Sequence, residues 1–203
     1  MKKWLYPGYL WSMPRDQKKI YLTFDDGPHP VATTFVLDAL KKYNASATFF
    51  CIGKNTAAYP DIYRRILLEG HATGNHTHDH LNGWQTKDKI YFDNIIQASK
   101  YIDSGLFRPP YGRMTRFQAR QAAEKMGLRI VMWSVLSADF DLRITSQKCW
   151  NNVKGSAGNG SIIVFHDSEK AMERMMYALT ETLDYFSKKG FVFEKLGGQA
   201  FVV

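Results

Sequence analysis

Three of the six histidines fall within five residues, in the run His76-Thr77-His78-Asp79-His80. Two imidazoles at positions i and i+4 can bind one metal ion from a single helical turn or from a tight loop. The same pattern also occurs in ordinary polar surface loops, so the pair alone is a weak signal. A third ligand of another type would make it a catalytic site, because three protein ligands leave a position open for water.

Two adjacent carboxylates, Asp25 and Asp26, follow the β-branched and aromatic run 19–24 and precede Gly27-Pro28. Adjacent carboxylates repel each other unless a cation or a proton offsets their charge. The pair therefore fits either a solvated Asp-Gly turn or a functional site. With Asp26 as the third ligand, the two histidines of the first motif complete a His–His–Asp set. That set suits Zn²⁺ and also Co²⁺, Ni²⁺ or Fe²⁺.

Two further motifs place polar side chains next to apolar or rigid segments. Arg108-Pro109-Pro110-Tyr111-Gly112 is stiff because two prolines restrict its backbone, so it can hold a side chain and a backbone N–H in fixed positions. His166 ends the apolar run 162–165. The alternative interpretations are that residues 108–112 are a plain connecting loop and that His166 is a hydrogen-bonded structural residue.

The hydrophobic pattern predicts strands that alternate with helices, which indicates an α/β fold with a parallel sheet. In such folds the carboxyl ends of the strands share one face, where active sites form. The polar motifs all follow expected strands, so we expect them to converge. Strands are expected at 19–24, 47–52, 71–75, 106–108, 128–135, 161–165 and 191–193, and helices at 31–43, 60–69, 86–102, 115–126, 145–153 and 169–189.

Four motifs in the same order make the chain resemble the polysaccharide deacetylase family (carbohydrate esterase family 4, the chitooligosaccharide deacetylase homology domain). The motifs are Thr23-Phe24-Asp25-Asp26-Gly27-Pro28, His76-Thr77-His78-Asp79-His80, Arg108-Pro109-Pro110-Tyr111-Gly112 and Phe165-His166-Asp167. The resemblance implies a distorted (β/α) barrel of seven or eight strands in a single domain. Residues 1–18 would be an N-terminal extension packed on the barrel, and residues 19–203 the catalytic domain.

The resemblance also implies a reaction and a set of roles. The reaction is metal-dependent hydrolysis of N-acetyl groups on amino sugars or their polymers, of the chitooligosaccharide or peptidoglycan type, with Zn²⁺ preferred over Co²⁺ or Ni²⁺. Other acyl substrates remain open, namely acetylxylan esters, lipid-linked sugars and small amides. The resemblance implies that Asp26, His76 and His80 bind the metal. Asp25 would be the general base, and Arg108 would keep it ionised. The Tyr111 N–H would stabilise the oxyanion, and His166 would be the general acid.

The fourth motif departs from the family pattern D-x-x-D-W, whose first Asp orients the catalytic histidine. In the run from Trp133 to Asp141, Leu136 takes the place of that Asp and Phe140 the place of the Trp. A leucine cannot accept a hydrogen bond. Either Asp139 or Asp141 supplies the carboxylate, or His166 works with a lower pKa, or the chain is a weakened, carbohydrate-binding relative.

Composition limits the remaining function classes. The chain has 203 residues, a net charge of +8 and scattered basic residues without a nucleic-acid-binding motif, so no nucleic-acid partner is expected. No run approaches the ~20 apolar residues of a membrane span, and no cleavable signal is visible, so the cytoplasm is the default location. Aromatic residues at positions 4–11 leave weak peripheral contact with a membrane surface open. The two cysteines, Cys51 and Cys149, are expected to be free thiols, and the oligomeric state is undetermined.

Overall fold

A computed structural model describes residues 8–197, which form one curled sheet of parallel strands surrounded by helices. This architecture confirms the expected distorted (β/α) barrel. Within these residues the strands are β1 Lys19–Asp25, β2 Thr48–Cys51, β3 Ala72–Asn75, β4 Leu106–Phe107, β5 Arg129–Ile130, β6 Val135–Leu136, β7 Ser161–His166 and β8 Val192–Phe193. The α-helices are α1 Ala32–Lys42, α2 Gly53–Ala58, α3 Pro60–Leu68, α4 Asp88–Ser99, α5 Arg116–Met126, α6 Ser146–Ser156 and α7 Met172–Lys188.

Successive side chains of the central strand β1 point to opposite faces of the sheet, so the two faces of β1 have different surroundings. Leu22 and Phe24 belong to the core between the sheet and the helices, where Phe24 stacks on Phe49 of β2 and Phe165 of β7. The alternate residues, including Thr23, point to the inside of the barrel. Apolar rings thus pack against the outer face of β1, while its inner face carries Tyr21 in a small apolar cluster and the polar Thr23.

The strand order β5-β4-β3-β2-β1-β7-β6, with β8 paired to the start of β1, sets which motifs meet. Asp25 is in register with His166, and Asn75 with both Cys51 and Phe107. Because every pair of strands is parallel, these carboxyl ends form one rim. The residues that directly follow β1, β3 and β4 therefore lie on the same face of the barrel.

The expectation of one continuous strand over 128–135 is wrong. β5 and β6 lie at opposite ends of the strand order, so residues 131–134 cross from one edge of the open barrel to the other. Leu10 forms a β-bridge with Val131, and Ser12 forms one with Ser161. An apolar run gives no sign of such a crossing, because its apolar residues Ile130, Val131, Met132 and Val135 are buried although the strand is interrupted. The short helix α2 was also absent from the expected elements.

The N-terminal aromatics fall into two groups. Trp4 and Tyr6 lie outside the described residues. Tyr9 and Trp11 are partly buried against the core around β4 and β5. Within residues 8–197, none of the helices combines the length and the apolar character that a membrane span requires. Both cysteines are buried and free, as expected.

Candidate active site

A cleft of about 540 Å³ opens at the carboxyl ends of the strands. Six of the eight residues expected at a site from the sequence line this cleft, and the other two, Arg108 and Asp139, are fully buried. The six are Asp25, Asp26, His76, His80, Tyr111 and His166.

Asp26, His76 and His80 meet in one corner of the cleft. The Asp26 Oδ1 atom lies 3.7 Å from His76 Nε2 and 3.3 Å from His80 Nε2. One ligand atom from each residue falls within 4.8 Å of the others. Oδ1 is shielded from solvent and accepts no hydrogen bond of good geometry. A shielded carboxylate oxygen without a donor costs free energy that a cation would offset.

The pKa shifts of Asp26 and His76 also suit a cation. Burial alone would raise the pKa of Asp26, but His80, His166 and His76 outweigh it and hold the pKa well below its usual range. Burial lowers the pKa of His76 to about 4, despite the opposing pull of Asp25 and Asp26. The His76 Nδ1–H donates to the Arg108 carbonyl oxygen at 2.7 Å. Since a carbonyl only accepts, the Nε2 lone pair is left facing Asp26.

Two asparagines that sequence reasoning missed fix the histidine loop. Asn75 Oδ1 accepts the Thr77 N–H at 2.8 Å. Asn94 Oδ1 accepts the N–H groups of His78 and Asp79 at 2.8 and 2.9 Å. Asn94 lies on the buried face of α4. A polar residue on that otherwise apolar face was the available sequence signal.

Asp25 is held by the fully buried Arg108. The guanidinium Nη1 donates to Asp25 Oδ1 at 2.7 Å and to Thr23 Oγ1 at 2.8 Å. Nε and Nη2 donate to the carbonyl oxygens of Val131 and Met132. The two carbonyls come from the crossing segment 131–134, so the bend that broke the expected strand also positions this arginine.

His166 pairs with Asp139 and not with Asp141. Its Nδ1–H donates to Asp139 Oδ1 at 2.7 Å, and its backbone N–H donates to Oδ2 at 2.7 Å. Asp141 instead pairs with Arg143 at 2.8 Å. Burial tends to lower the pKa of His166, but the Asp139 carboxylate outweighs it and raises the pKa to about 9. The alternative of a lowered pKa is therefore wrong. Leu136 lines the cleft and cannot accept a hydrogen bond, so Asp139 is the acceptor for the His166 Nδ1–H.

Asp167 holds the turn that carries Asp26, and sequence reasoning gave it no role. Its Oδ1 accepts the Gly27 N–H at 3.0 Å, and its Oδ2 accepts from the Thr33 hydroxyl. Burial raises the pKa of Asp167 to about 7. A Cβ on Gly27 would lie 2.1 Å from Asp167 Oδ2, so only glycine fits between the carboxylates. Its place next to His166 in the motif was the one signal in the sequence.

Backbone strain is concentrated at the cleft. Asp26, His80 and Tyr111 have φ values of 82°, 59° and 60°. Non-glycine residues in this region cost of order 1–3 kcal/mol each and persist where surrounding contacts impose them, typically at functional sites. These three residues line the cleft, and they are half of the six non-glycine residues with positive φ among residues 8–197.

Comparison with known proteins identifies the family of this chain. Residues 12–131 match the polysaccharide deacetylase family. The chain is 34% identical over 201 residues to a peptidoglycan-N-acetylglucosamine deacetylase of Bacillus cereus, covering 95% of this chain and 94% of the relative. It is 39% identical over 178 residues to a chitooligosaccharide deacetylase of Azorhizobium caulinodans, covering 84% and 83%.

A solved structure extends the likeness to three dimensions. The crystal structure of the Bc1960 peptidoglycan N-acetylglucosamine deacetylase superposes with a TM-score of 0.89 at 32% identity, covering 96% of this chain and 94% of that chain. Identity at this level over nearly the whole chain goes beyond a shared fold. The chain therefore belongs to the polysaccharide deacetylase family, carbohydrate esterase family 4, and is a hydrolase of the deacetylase kind.

Proposed function

We propose that this chain is a metal-dependent deacetylase that hydrolyses N-acetyl groups of amino-sugar glycans, of the peptidoglycan or chitooligosaccharide type, and releases acetate. The observation on which the proposal depends is the shielded Asp26 oxygen between two imidazoles, His76 and His80. Relatives named as deacetylases of both glycan types support the substrate class.

The donor set suits a divalent cation. One carboxylate oxygen and two neutral imidazole nitrogens favour Zn²⁺, with Co²⁺ and Ni²⁺ as alternatives. In this proposal Asp26, His76 and His80 hold the cation. When bound, such an ion supplies Lewis acidity toward the amide carbonyl and toward water.

Asp25 is the proposed proton acceptor from the attacking water. Its Oδ1 is engaged by Arg108 at 2.7 Å, and its carboxylate borders the cleft. In this scheme the adjacent Asp26 would bind the cation, and Asp25 would accept the proton. Arg108 is a positioning residue, because its donors are taken up by Asp25, Thr23 and backbone carbonyls inside the barrel.

His166 is the proposed proton donor to the departing amine. An amide nitrogen leaves poorly as an anion, and proton transfer of this kind is typically worth ~10²–10⁴ in rate. Asp139 on Nδ1 keeps the ring protonated at neutral pH and leaves Nε2–H available to the cleft. The replacement of an Asp by Leu136 was the observation that favoured a weakened relative. The Asp139–His166 pair supports an active enzyme instead, because Asp139 provides the carboxylate that Leu136 lacks.

Tyr111 completes the proposed machinery at the rim. Its backbone is held at φ 60° in the turn Pro110–Gly112, and its ring packs edge-on against His80 at 4.6 Å. In the proposal its N–H donates to the oxyanion of the tetrahedral intermediate. Removing one such donor typically costs ~10²–10³ in rate.

Acetate release with controlled metal content tests the proposal. Chelator-treated protein is assayed on N-acetylglucosamine oligomers, peptidoglycan fragments and acetylxylan, before and after addition of Zn²⁺, Co²⁺ or Ni²⁺. We expect release from the first two substrates only after metal is restored. Asp26→Asn should lose bound metal, and the matched control Asp141→Asn should keep it. Undiminished release without metal, or from acetylxylan alone, would refute the proposal.

A further inference from the structure

Trp84 is an exposed aromatic side chain held in one orientation beside the cleft. It is 59% exposed. Its indole Nε1–H donates to the Met114 carbonyl oxygen at 3.0 Å, which fixes the ring. Burial of the ring does not account for its position, because most of its surface faces water. A rigid, exposed indole is a surface suited to ligand contact, since it offers apolar area at little entropic cost.

The loop that presents Trp84 is closely packed. The Gly83 N–H donates to the Arg113 carbonyl oxygen at 3.2 Å. The fully buried Gln118 donates from Nε2 to Gly83 O and to Asp88 Oδ1, each at 2.9 Å. A Cβ on Gly83 would lie 2.6 Å from Gln118 Oε1 and 2.8 Å from Arg113 O. These contacts hold the loop that places the indole at the surface.

Arg113 connects Trp84 to the cleft. Its guanidinium lies over the indole at 5.2 Å from the ring centroid, and the same residue lines the cleft. Tyr111, which is 60% exposed, lines the same cleft as Arg113 and packs against the His80 ring. Arg113 lies over the indole, and more than half of the Trp84 surface is still exposed to solvent. Tyr111, Arg113 and Trp84 thus form an amphipathic track that leads away from the reacting groups.

We propose that Trp84 and Arg113 form a distal sugar-binding subsite for a further residue of the N-acetylated glycan whose reacting residue occupies the cleft. The inference rests on the proposed function. A pyranose ring has an apolar C–H face that can lie on the exposed indole surface, while Arg113 packs against the indole and connects it to the cleft. The subsite makes the enzyme favour oligomers over single sugars.

Chain-length dependence tests the subsite. We would measure kcat/KM of the metal-loaded protein on N-acetylglucosamine oligomers of one to five units, for wild type, Trp84→Ala and Trp84→Phe. We expect wild-type kcat/KM to rise with length and the Trp84→Ala deficit to grow with length, reaching roughly 3- to 10-fold on the longest oligomers. Trp84→Phe keeps a stacking ring and should recover most of this loss. Tyr177→Ala, an exposed tyrosine on α7 bonded to Gln147, is the matched control and should resemble wild type.

Binding provides a readout that does not depend on turnover. Calorimetry with the pentamer and metal-free protein should show weaker binding by a similar factor for Trp84→Ala, with Trp84→Phe near wild type. A deficit equal at all lengths, or pentamer binding that Trp84→Ala leaves unchanged, would overturn the subsite. If wild type released no acetate at all, the proposed function would fail, and the binding comparison would still decide the subsite.

Discussion

Replacing Asp139 with asparagine should move the basic limb of the pH–rate profile to lower pH. In the wild type, Asp139 Oδ1 accepts the His166 Nδ1–H at 2.7 Å, and this carboxylate raises the pKa of the imidazole to about 9. An uncharged amide removes that stabilisation while burial continues to disfavour the imidazolium. The pKa of His166 should then fall to about its ordinary value of 6.5, because Asp26 and Asp25 still favour the imidazolium.

The size of the effect depends on pH. At pH 8 a histidine with a pKa of about 9 is roughly nine-tenths protonated, and one with a pKa of 6.5 is roughly 3% protonated, a loss of about 30-fold in the acid form. At pH 6 both are mostly protonated, so the same variant should lose less than about 2-fold from this cause. The sign is fixed because a general acid acts only when protonated, so activity declines as pH rises through its pKa.

Acetate release from an N-acetylglucosamine oligomer between pH 5 and 10 measures this shift. Asp141→Asn is the matched control, since Asp141 lies two residues away but pairs with the exposed Arg143. Its profile should resemble that of wild type. If Asp139→Asn kept a basic limb near pH 9, His166 would not be the titrating acid, or Asp139 would not set its pKa.

Three further changes test the catalytic and structural roles separately. Asp25→Asn should lower kcat by at least ~10²-fold while elemental analysis still finds bound metal, and loss of the metal would instead place Asp25 among the ligands. Gly27→Ala should reduce the free energy of unfolding in urea by about 1–3 kcal/mol, because its Cβ would lie 2.1 Å from Asp167 Oδ2. Gly155→Ala, with nothing within 4 Å, is its control and should be neutral or stabilising, and equal stabilities would contradict the packing argument. Thr115→Ala should cost about 1 kcal/mol in the same assay by removing the capping box of α5, and a change within error would show that the box contributes little.

The order of elements and the rim of polar residues could be predicted from sequence because both depend on local pattern. Alternating strands and helices impose parallel pairing, and parallel pairing brings the carboxyl ends of β1, β3 and β7 together whatever the loops contain. Asp25, His76 and His166 directly border those ends. Spacing within one segment was likewise enough to nominate His76 and His80 as a pair.

The partners of these residues were decided only by the tertiary structure. Two nearby acids, Asp139 and Asp141, were equivalent in sequence. They differ in the structure because Asp139 is buried against His166, whereas Asp141 pairs with the exposed Arg143. The bend at 131–134 follows from the need to cross between the two edges of an open barrel, which is a property of the whole sheet.

The distant hydrogen-bond partners of Asn94 and Asp167 also could not be predicted from the sequence. Asn94 on α4 accepts a hydrogen bond from the histidine loop, and Asp167, directly after β7, accepts one from the Gly27 N–H directly after β1. Local spacing determines which residues face the cleft, because strand and helix periods are set by neighbouring residues. Hydrogen-bond partners and pKa values depend on distances between segments and on burial, and these exist only once the barrel has formed.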